Sequence, residues 1–362
     1  MRNCFELIPQ DARSIVVVSA TSQTTNQLEK LHQLLEANDL MVKDQIQLII
    51  KKHQSIALDL NLNWQQSEPL KKWEEKIRSL EQTNKKFTLS EIYLFGEWIS
   101  SLLFSLGLNQ SNQWLWAPTF MKTDSFSNPI QSEITQLINQ TISLYSSQCF
   151  VTQGFIAQDL TGKPTHLGRE GSDFSATLIG EALKASEVQI WTDVPGVLFC
   201  DPRQYPQAKV IHSLSYEAAE ILANKGAKVL HPSTLGPLKN SKIQLKVLST
   251  KDPQRPGTTI GVGNLRPIEG VAIQRIRRNN GLDYNDAPED SPIQIQINII
   301  GDNLPNHHLL KSRILEKLDG LGPYKAQDSL HSWGLLIDTP DQDKLANWVK
   351  ALQDIASEVN ST

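Results

Sequence analysis

Cysteine, methionine and long apolar runs are all scarce in this sequence. Its 362 residues include 3 cysteines, Cys4, Cys149 and Cys200, which lie far apart with no Cys-x-x-Cys pair. They support neither a disulfide framework nor a zinc site, and they fit a reducing compartment. The clean aliphatic runs are short ones such as residues 15–18, whereas a membrane-spanning helix needs about 20 apolar residues. Because no secretory signal pattern opens the sequence either, we expect a cytoplasmic protein without a membrane span.

An excess of charge of one sign is also lacking. The sequence has 35 Lys+Arg against 39 Asp+Glu, a formal net charge of −4. Since proteins that bind nucleic acid carry a basic excess, we expect no nucleic-acid partner. Hydrophobic residues make up 39% and charged residues 20% of the chain, a balance that excludes a mostly disordered protein.

The hydrophobic pattern predicts an α/β protein. Residues 15–18 are typical of a short buried strand followed by a polar turn (19–26), and residues 27–107 carry nearly continuous helical patterning. Within that stretch, Thr-Leu-Ser-Glu at 88–91 has the spacing of a capping box. From Cys149 onward strands alternate with helices, which predicts a sheet covered by helices. The predicted elements there are strands at 149–156, 187–193, 243–249 and 258–262, a loop at 157–171, and helices at 172–185, 215–224 and from about 232.

The C-terminal part follows a different order. Residues 263–292 are rich in turn-forming residues, which predicts a linker. They include Arg275, Arg277 and Arg278, which we interpret as a solvated strand or an interface edge. Residues 293–362 then predict a small α+β domain, with the order strand (293–300), helix (307–319), weak strand (324–329), strand (332–339) and helix (341–358).

Residues 168–173 (Gly-Arg-Glu-Gly-Ser-Asp) form a loop between a predicted strand and a helix. Its backbone N–H groups and the helix dipole suit an anion, and the planar fork of Arg169 matches a carboxylate. The spacing is neither a Walker A motif nor a dinucleotide fingerprint. The alternative is a glycine-containing loop in which Ser172 or Asp173 caps the helix.

Residues 191–197 (Trp-Thr-Asp-Val-Pro-Gly-Val) run on to Asp-Pro-Arg at 201–203. A strand that ends in Thr-Asp places polar groups at the carboxyl edge of a sheet, where open α/β sheets bind ligands. Simple turn chemistry at the Pro-Gly and Asp-Pro steps is the alternative.

Two further charged residues stand in apolar surroundings. Lys228 lies within Gly-Ala-Lys-Val-Leu-His-Pro, and a phosphate would pair with it; the alternative is a snorkelling lysine. His231 in the same segment is interpreted as a turn or core histidine. Glu97 lies within an apolar helix stretch and needs a partner or a substrate amine, unless it occupies an exposed helix face.

In this order, the motifs resemble those of the aspartokinases in the amino acid kinase family. The resemblance covers residues 14–262 and is most specific from 151 to 262. It implies a three-layer α/β/α sandwich over residues 1–262. The matching residues are Ser19, Ala20, Thr25 and Asn26, Phe-Gly-Glu (95–97), Gln-Gly-Phe-Ile (153–156), Leu-Gly-Arg-Glu-Gly-Ser-Asp (167–173), the two segments at 191–197 and 201–203, Gly-Ala-Lys-Val-Leu-His-Pro (226–232), and Lys-Asp-Pro with Pro-Gly-Thr (251–258).

The resemblance implies phosphoryl transfer from ATP to the side-chain carboxylate of L-aspartate. The product, 4-phospho-L-aspartate, feeds lysine, threonine and methionine synthesis, and Mg²⁺ would enter with ATP. The catalytic residues implied are Arg169 and Asp173. The binding residues implied are Thr25, Glu97, Phe155, Arg169 and Ser172 for the amino acid, and Thr192, Asp193, Arg203 and Lys228 for the nucleotide.

The sequence departs from the family pattern in three places. Family members open with a strand and Lys-Phe-Gly-Gly-Thr-Ser, whose lysine neutralises the transferring phosphoryl group, and this sequence contains no such segment. Glu170 replaces the commoner glycine, and Leu198 stands where many members have a tyrosine beside the nucleotide. Two hypotheses follow: an active aspartate kinase whose native start lies upstream of Met1, or a catalytically impaired paralogue with a binding or regulatory role. A kinase for another amino acid or nucleotide is a third hypothesis.

The C-terminal domain, 293–362, resembles an ACT regulatory module, and 263–292 stands in place of a first such module. The glycine-rich effector loop is replaced by Asn-Leu-Pro-Asn-His-His at 303–308, so the resemblance gives no support for feedback control by lysine or threonine. It implies a homodimer formed through the ACT-like domain, or pairing with an active aspartokinase.

Overall fold

The computed structural model divides the chain into two compact units, Met1–Ala185 and Ser186–Thr362. We call them the N-terminal and C-terminal units. This division falls inside the predicted kinase-like domain, so the predicted boundary at residue 262 stays a prediction. The structure describes residues 1–83, 85–202, 205–225, 230–263, 266, 268–277, 293–302, 304–318, 324–329, 331–338 and 342–361.

The N-terminal unit is a mixed α/β structure. Among its residues, β1, β4 and β2 form a parallel three-stranded sheet in the order β1-β4-β2, and β3-β5-β6 form a second sheet. Its elements are α1 (Arg2–Phe5), β1 (Ser14–Val18), α2 (Thr24–Glu36), α3 (Val42–Asp59), α4 (Glu68–Ser79), α5 (Leu89–Gly107), β2 (Gln113–Trp114), β3 (Lys122–Thr123), α6 (Gln131–Ser143), β4 (Cys149–Gln153), β5 (Ile156–Asp159), β6 (Pro164–His166) and α7 (Gly171–Ala182).

The parallel sheet has helices on both faces. Successive side chains of a strand point to opposite faces, and β1 shows this directly. Ile15 and Val17 pack into the core built by α6 and α7, whereas Val16 and Val18 pack against a second core that contains Phe104 of α5. The predicted α/β fold with helix layers is therefore confirmed for this unit.

Helices α2 to α5 form a core of their own beside the sheets. Trp73 of α4, Ile49 of α3 and Ile92 of α5 are fully buried in it. Helix α5 begins with the predicted capping box: the Thr88 hydroxyl accepts from the Glu91 N–H, and the Glu91 carboxylate accepts from the Thr88 N–H. This cap fixes where α5 starts and so sets which of its residues face inward.

The structure corrects three local predictions in the N-terminal unit. The strand predicted at 149–156 is interrupted at Gly154 and Phe155, because the Phe155 backbone is left-handed (φ 65°) and its N–H bonds to the Ser175 hydroxyl. The predicted loop at 157–171 contains most of β5 and all of β6. The predicted turn at 19–26 is shorter, because α2 begins at Thr24.

The C-terminal unit contains two four-stranded sheets among its described residues, in the orders β7-β9-β10-β8 and β11-β12-β14-β13. In the first sheet β9 is parallel to β7 and antiparallel to β10. The elements are β7 (Glu187–Thr192), β8 (Ser213–Ser215), α8 (Tyr216–Asn224), α9 (Pro232–Ser241), β9 (Gln244–Ser249), β10 (Thr258–Gly261), β11 (Gly270–Arg277), β12 (Ile293–Ile300), α10 (His308–Lys317), β13 (Tyr324–Ser329), β14 (Ser332–Asp338) and α11 (Gln342–Val359).

The second sheet contains the elements predicted for residues 293–362, in the predicted order. One correction concerns the predicted linker, since residues 270–277 form β11 and pair along their whole length with β12. Val271 is buried and Ile273 packs on the same core, so side chains two residues apart on β11 face this core, as expected for a strand. The turn-forming residues on either side of it concealed this short pattern. The ACT-like assignment itself stays a prediction.

Within the described ranges, every helix falls short of the length and apolar character that crossing a bilayer requires.

Candidate functional site

The side chain of Glu97 is a buried carboxylate on α5. It is 5% exposed, which rules out the alternative of an exposed helix face. The carboxylate accepts a hydrogen bond from the Ala20 N–H, and its atom Oε2 is buried without a partner among the residues that the structure describes. Burial raises the pKa of Glu97 to about 8. The ionised form of Glu97 therefore needs an additional donor and a compensating positive charge, and an ammonium group supplies both.

Close helix packing places Glu97 at the carboxyl end of β1. A Cβ atom at the preceding Gly96 would lie 2.9 Å from Leu28 Cδ1 and 3.3 Å from Ala20 Cβ. Glycine at this position therefore lets α5 approach α2 and the turn after β1 without displacing these side chains. This approach brings the Ala20 N–H within reach of the Glu97 carboxylate.

The turn at Gly154 and Phe155 and the loop at 168–173, both predicted to bind the substrate, are interlocked by close contacts. A Cβ at Gly154 would lie 2.7 Å from the Ser172 Cα, and a Cβ at Gly171 would lie 2.6 Å from Phe155 Cδ2. The Ser175 hydroxyl accepts from the Phe155 N–H (2.9 Å) and donates to the Gly171 carbonyl (2.8 Å). The turn after β4 and the first turn of α7 are thus held together. Ser175 was not predicted from the sequence, although it stands one helical turn after Gly171.

An aromatic cluster links Phe155 to α5. The Phe155 ring stacks on His166, with centroids 4.9 Å apart, and meets Tyr93 edge-on at 5.2 Å. The Tyr93 hydroxyl donates to Glu29 (2.8 Å), and burial with this carboxylate raises the pKa of Tyr93 to about 12. Since Tyr93 lies one turn before Glu97 on α5, the cluster connects the carboxylate to the interlocked loops. Neither Tyr93 nor His166 was singled out from the sequence.

The charged residues of the 168–173 loop differ in exposure. Arg169 and Glu170 are exposed, whereas Asp173 is half-buried in the first turn of α7. Burial, with the negative charge of Glu170, raises the pKa of Asp173 to about 6. Thr25 is half-buried in the first turn of α2, the helix that follows the turn at 20–23. The loop therefore offers a solvent-accessible guanidinium beside a desolvated carboxylate.

In the C-terminal unit, the predicted nucleotide residues Thr192 and Asp193 lie at the end of β7. The Thr192 carbonyl accepts from the N–H (2.8 Å) and hydroxyl (3.0 Å) of Thr250, just beyond the parallel strand β9. Lys251 forms an exposed ion pair with Asp193 at 3.4 Å. Both strands thus present polar groups at the same carboxyl edge. Arg203 and Lys228, the other predicted nucleotide residues, lie outside the described residues.

The segment between β7 and β8 is held by hydrogen bonds at two positions, Val197 and Lys209. The Val197 N–H donates to the Thr258 hydroxyl on β10 (2.8 Å), and the Lys209 N–H donates to Gln353 of α11 (2.8 Å). Leu198 forms an isolated bridge with Val210. A Cβ at Gly196 would lie 2.8 Å from the same Thr258 hydroxyl, so the turn requires glycine.

Two cavities of the N-terminal unit lie apart from the predicted site residues. One, of about 450 Å³, is lined by residues such as Phe87, Leu94 and Phe95. The other, of about 600 Å³, is lined by polar residues such as Asn109 and Gln148. Their lining includes none of the predicted substrate residues. The Glu97 oxygen without a partner among the described residues indicates a ligand more specifically than either cavity does.

The fold and the site define an α/β protein with polar groups at the carboxyl ends of strands, the edge where open α/β sheets bind ligands. The sequence model of the amino acid kinase family matches residues 1–249, and the chain belongs to that family. It is 34% identical over 297 residues to lysine-sensitive aspartokinase 3 of Escherichia coli (strain K12), covering 78% of this chain and 65% of that protein. It is 32% identical over 287 residues to the aspartokinase of Chlamydia trachomatis serovar D, covering 76% of this chain and 64% of that protein. The matches thus span just under two thirds of these relatives.

Solved structures show the same fold. Clostridium acetobutylicum aspartate kinase superposes with a TM-score of 0.78 at 17% identity, covering 97% of this chain and 96% of that chain. Escherichia coli aspartokinase III in complex with aspartate and ADP superposes with a TM-score of 0.71 at 22% identity and the same coverage. The resemblance found in the motifs is therefore confirmed at the level of family and fold.

Proposed function

We propose that the chain is an aspartate kinase, which converts ATP and L-aspartate to ADP and 4-phospho-L-aspartate. The observation that carries this proposal is the buried carboxylate of Glu97, one oxygen of which has no donor in the part of the chain that the structure describes. The α-ammonium group of an amino acid supplies that donor and a compensating charge. The curated relatives named as aspartokinases support the choice of aspartate.

On the substrate side, Glu97 binds the α-ammonium group and Arg169 binds the α-carboxylate. The exposed guanidinium of Arg169 can form two parallel hydrogen bonds with a carboxylate. Phe155 and Ser172, interlocked through Gly154 and Gly171, frame the amino acid together with Thr25. A negative charge for the ammonium group together with a positive charge for the carboxylate selects an α-amino acid over a simple dicarboxylate.

On the nucleotide side, Thr192 and Asp193 are proposed to bind ATP together with Arg203 and Lys228. The carboxyl edge of β7 and β9 suits this role, because the ends of these two neighbouring strands present hydroxyl, carboxylate and ammonium groups. Mg²⁺, when bound with ATP, neutralises charge on the phosphate oxygens. These assignments follow from the resemblance to the aspartokinases.

In the reaction, a side-chain oxygen of aspartate attacks the γ-phosphorus, and the bond from that phosphorus to the ADP oxygen breaks. The protein contributes by positioning the reactants and stabilising charge, since phosphoryl transfer needs little covalent help. Arg169 and Asp173 are the residues proposed to act closest to the reacting groups. With a pKa of about 6, Asp173 is mostly ionised at neutral pH and can order cations there.

Isothermal titration calorimetry of the full chain with L-aspartate and with Mg-ATP tests the proposal. We expect both to bind, and Glu97→Gln to weaken aspartate binding by about 10²-fold, because it removes the charge that balances a buried ammonium. Glu75→Gln, the same change on an exposed position of α4, is the matched control. An aspartyl-hydroxamate assay then measures turnover. A folded chain that binds neither ligand would refute the proposal.

The oligomeric assignment is a separate proposal. Residues 293–362 are proposed to act as an ACT-like module that pairs two copies of the chain, or pairs the chain with an active aspartokinase. Sedimentation at several protein concentrations distinguishes a monomer from a self-associating chain.

A further inference from the structure

A row of polar side chains connects α3 to the turn that precedes α2. Lys52 Nζ donates to the Thr24 hydroxyl at 2.8 Å and to the Ser22 carbonyl. The Thr24 and Thr21 hydroxyl oxygens are 2.8 Å apart, and Thr21 Oγ1 lies 3.2 Å from His53 Nε2. His53 Nδ1 lies 2.8 Å from the Ile49 carbonyl oxygen. Four side chains thus form one continuous hydrogen-bonded chain.

The residues at the two ends of the hydrogen-bonded chain determine which group donates and which accepts at each hydrogen bond. Lysine has only donors, so the Thr24 oxygen must accept from Lys52. The Ile49 carbonyl can only accept, so the proton of the neutral His53 ring sits on Nδ1 and Nε2 is an acceptor. Burial lowers the pKa of His53 to about 4, which keeps the ring neutral at physiological pH. Thr21 therefore donates to His53, and Thr24 donates to Thr21.

The hydrogen-bonded chain holds the turn that supplies the Glu97 partner. Ala20, whose N–H donates to Glu97, immediately precedes Thr21. The turn contains a left-handed non-glycine residue, Gln23 (φ 64°), a conformation that needs support from its surroundings. The Thr24 methyl group also lies beside Gly96, the residue before Glu97.

A second set of contacts connects His53 to α5, the helix that carries Glu97. Its ring meets Trp73 edge-on with centroids 5.6 Å apart, and the Trp73 indole N–H donates to the Phe95 carbonyl at 2.9 Å. Phe95 lies two residues before Glu97 on α5. His53 is fully buried and contacts both the turn and the residue that holds α5, so it links the donor and the acceptor of the Ala20–Glu97 hydrogen bond.

We propose that His53, through Thr21, is a positioning residue that sets the Glu97 carboxylate for binding a substrate ammonium group. The inference rests on the proposed function, because it assumes that Glu97 binds the amino acid. His53 and Thr21 act on the substrate only through Ala20 and Glu97.

The test compares Thr21→Val with Thr21→Ser in the full chain. Valine keeps the shape of threonine but removes the hydroxyl, which breaks the hydrogen-bonded chain at its centre; serine retains it. We expect Thr21→Val to raise the Kd for L-aspartate by about 5- to 30-fold, the effect of one buried hydrogen bond. The Kd for Mg-ATP should change less than twofold, and Thr21→Ser should restore aspartate binding.

A spectroscopic measurement checks the direction of the hydrogen-bonded chain independently of binding. In protein labelled with ¹⁵N-histidine, we expect the His53 signals of a neutral ring protonated at Nδ1, assigned by their loss in His53→Gln. The Nε2 signal should shift in Thr21→Val and not in Thr21→Ser. A charged ring, or one protonated at Nε2, would overturn the assignment.

The outcomes separate this inference from the proposed function. If wild-type protein binds aspartate and Glu97→Gln weakens binding, yet Thr21→Val binds like wild type, only the positioning role is wrong. Equal weakening of aspartate and Mg-ATP binding in Thr21→Val would show a general structural effect and would also refute it. Failure of the wild-type chain to bind aspartate would overturn both.

Discussion

The proposed binding residues of the two units are built in opposite ways. In the N-terminal unit, Glu97 is 5% exposed with an orphaned oxygen, and the surrounding loops touch so closely that two glycines are required. In the C-terminal unit, Asp193 and Lys251 form an exposed ion pair on a strand end. A desolvated charge is costly and therefore selects one ligand, whereas an exposed pair costs little to break and can exchange partners. The predictions below test this contrast.

The largest effect is expected where the loops interlock. Gly154→Ala places a Cβ 2.7 Å from the Ser172 Cα, so the backbone must move, and we expect a loss of about 2–3 kcal/mol in the free energy of unfolding together with weaker aspartate binding. Gly261→Ala is the matched control in the C-terminal unit: nothing lies within 4 Å of its Cβ, and it is the last residue of β10. The free energy of unfolding should not decrease, since alanine is favoured over glycine in a strand by up to about 1 kcal/mol. Urea denaturation measures both, and equal effects would break the contrast.

The next effect concerns the exposed arginine of the buried site. Arg169→Lys keeps the charge but loses the planar fork, so we expect the Kd for aspartate to rise by about 10- to 30-fold with little change in stability. Calorimetry with aspartate and with Mg-ATP measures the change and its selectivity. Unchanged aspartate affinity would indicate that the carboxylate binds elsewhere and would favour a different substrate.

The raised pKa of Glu97 makes stability fall as pH rises. Between the ordinary glutamate pKa of 4.5 and the folded pKa of about 8, the folded chain holds a proton that the unfolded chain has released. The free energy of unfolding should therefore decrease across this window by up to about 1.4 kcal/mol per pH unit from this group. The difference between wild type and Glu97→Gln in denaturation at pH 5, 6.5 and 8 isolates the contribution. A difference that does not vary with pH would contradict it.

The same carboxylate should release a proton when aspartate binds, because the ammonium group favours ionised Glu97. Calorimetry at neutral pH in buffers of different ionisation enthalpy measures the number released, which we expect to lie between about half a proton and one for wild type. Glu97→Gln should release none from this position.

The smallest effect is expected at the exposed pair. Lys251→Met removes the partner of Asp193, and because both side chains are exposed we expect a stability change within about 0.5 kcal/mol. Thermal denaturation is the measurement. A loss of several kcal/mol in the free energy of unfolding would show that the end of β7 is as tightly packed as the loops that contain Gly154 and Ser172.

The sequence predicted those parts of the molecule in which local pattern and chemistry agree. The capping box at Thr88 placed the start of α5. Glu97, singled out from Phe-Gly-Glu, is buried on this helix, and its role stays a prediction. The sequence did not reveal β11, because turn-forming residues surround this strand and its pairing partner, β12, lies further along the chain. The contacts of His53, Thr21 and Ser175 are also absent from any local pattern, because they join segments far apart in the chain and arise only when the helices pack.

The interlock of Gly154 with Ser172 has a consequence for how a ligand enters. The turn after β4 and the start of α7 can move only as one piece, so the adaptable element at this end of the site is the exposed side chain of Arg169. Capturing a carboxylate then restricts the rotamers of one long side chain, an entropic cost of at most about 2 kcal/mol, instead of ordering a whole loop. Under the proposed function, binding of the amino acid therefore requires little movement of the protein backbone at this end of the site.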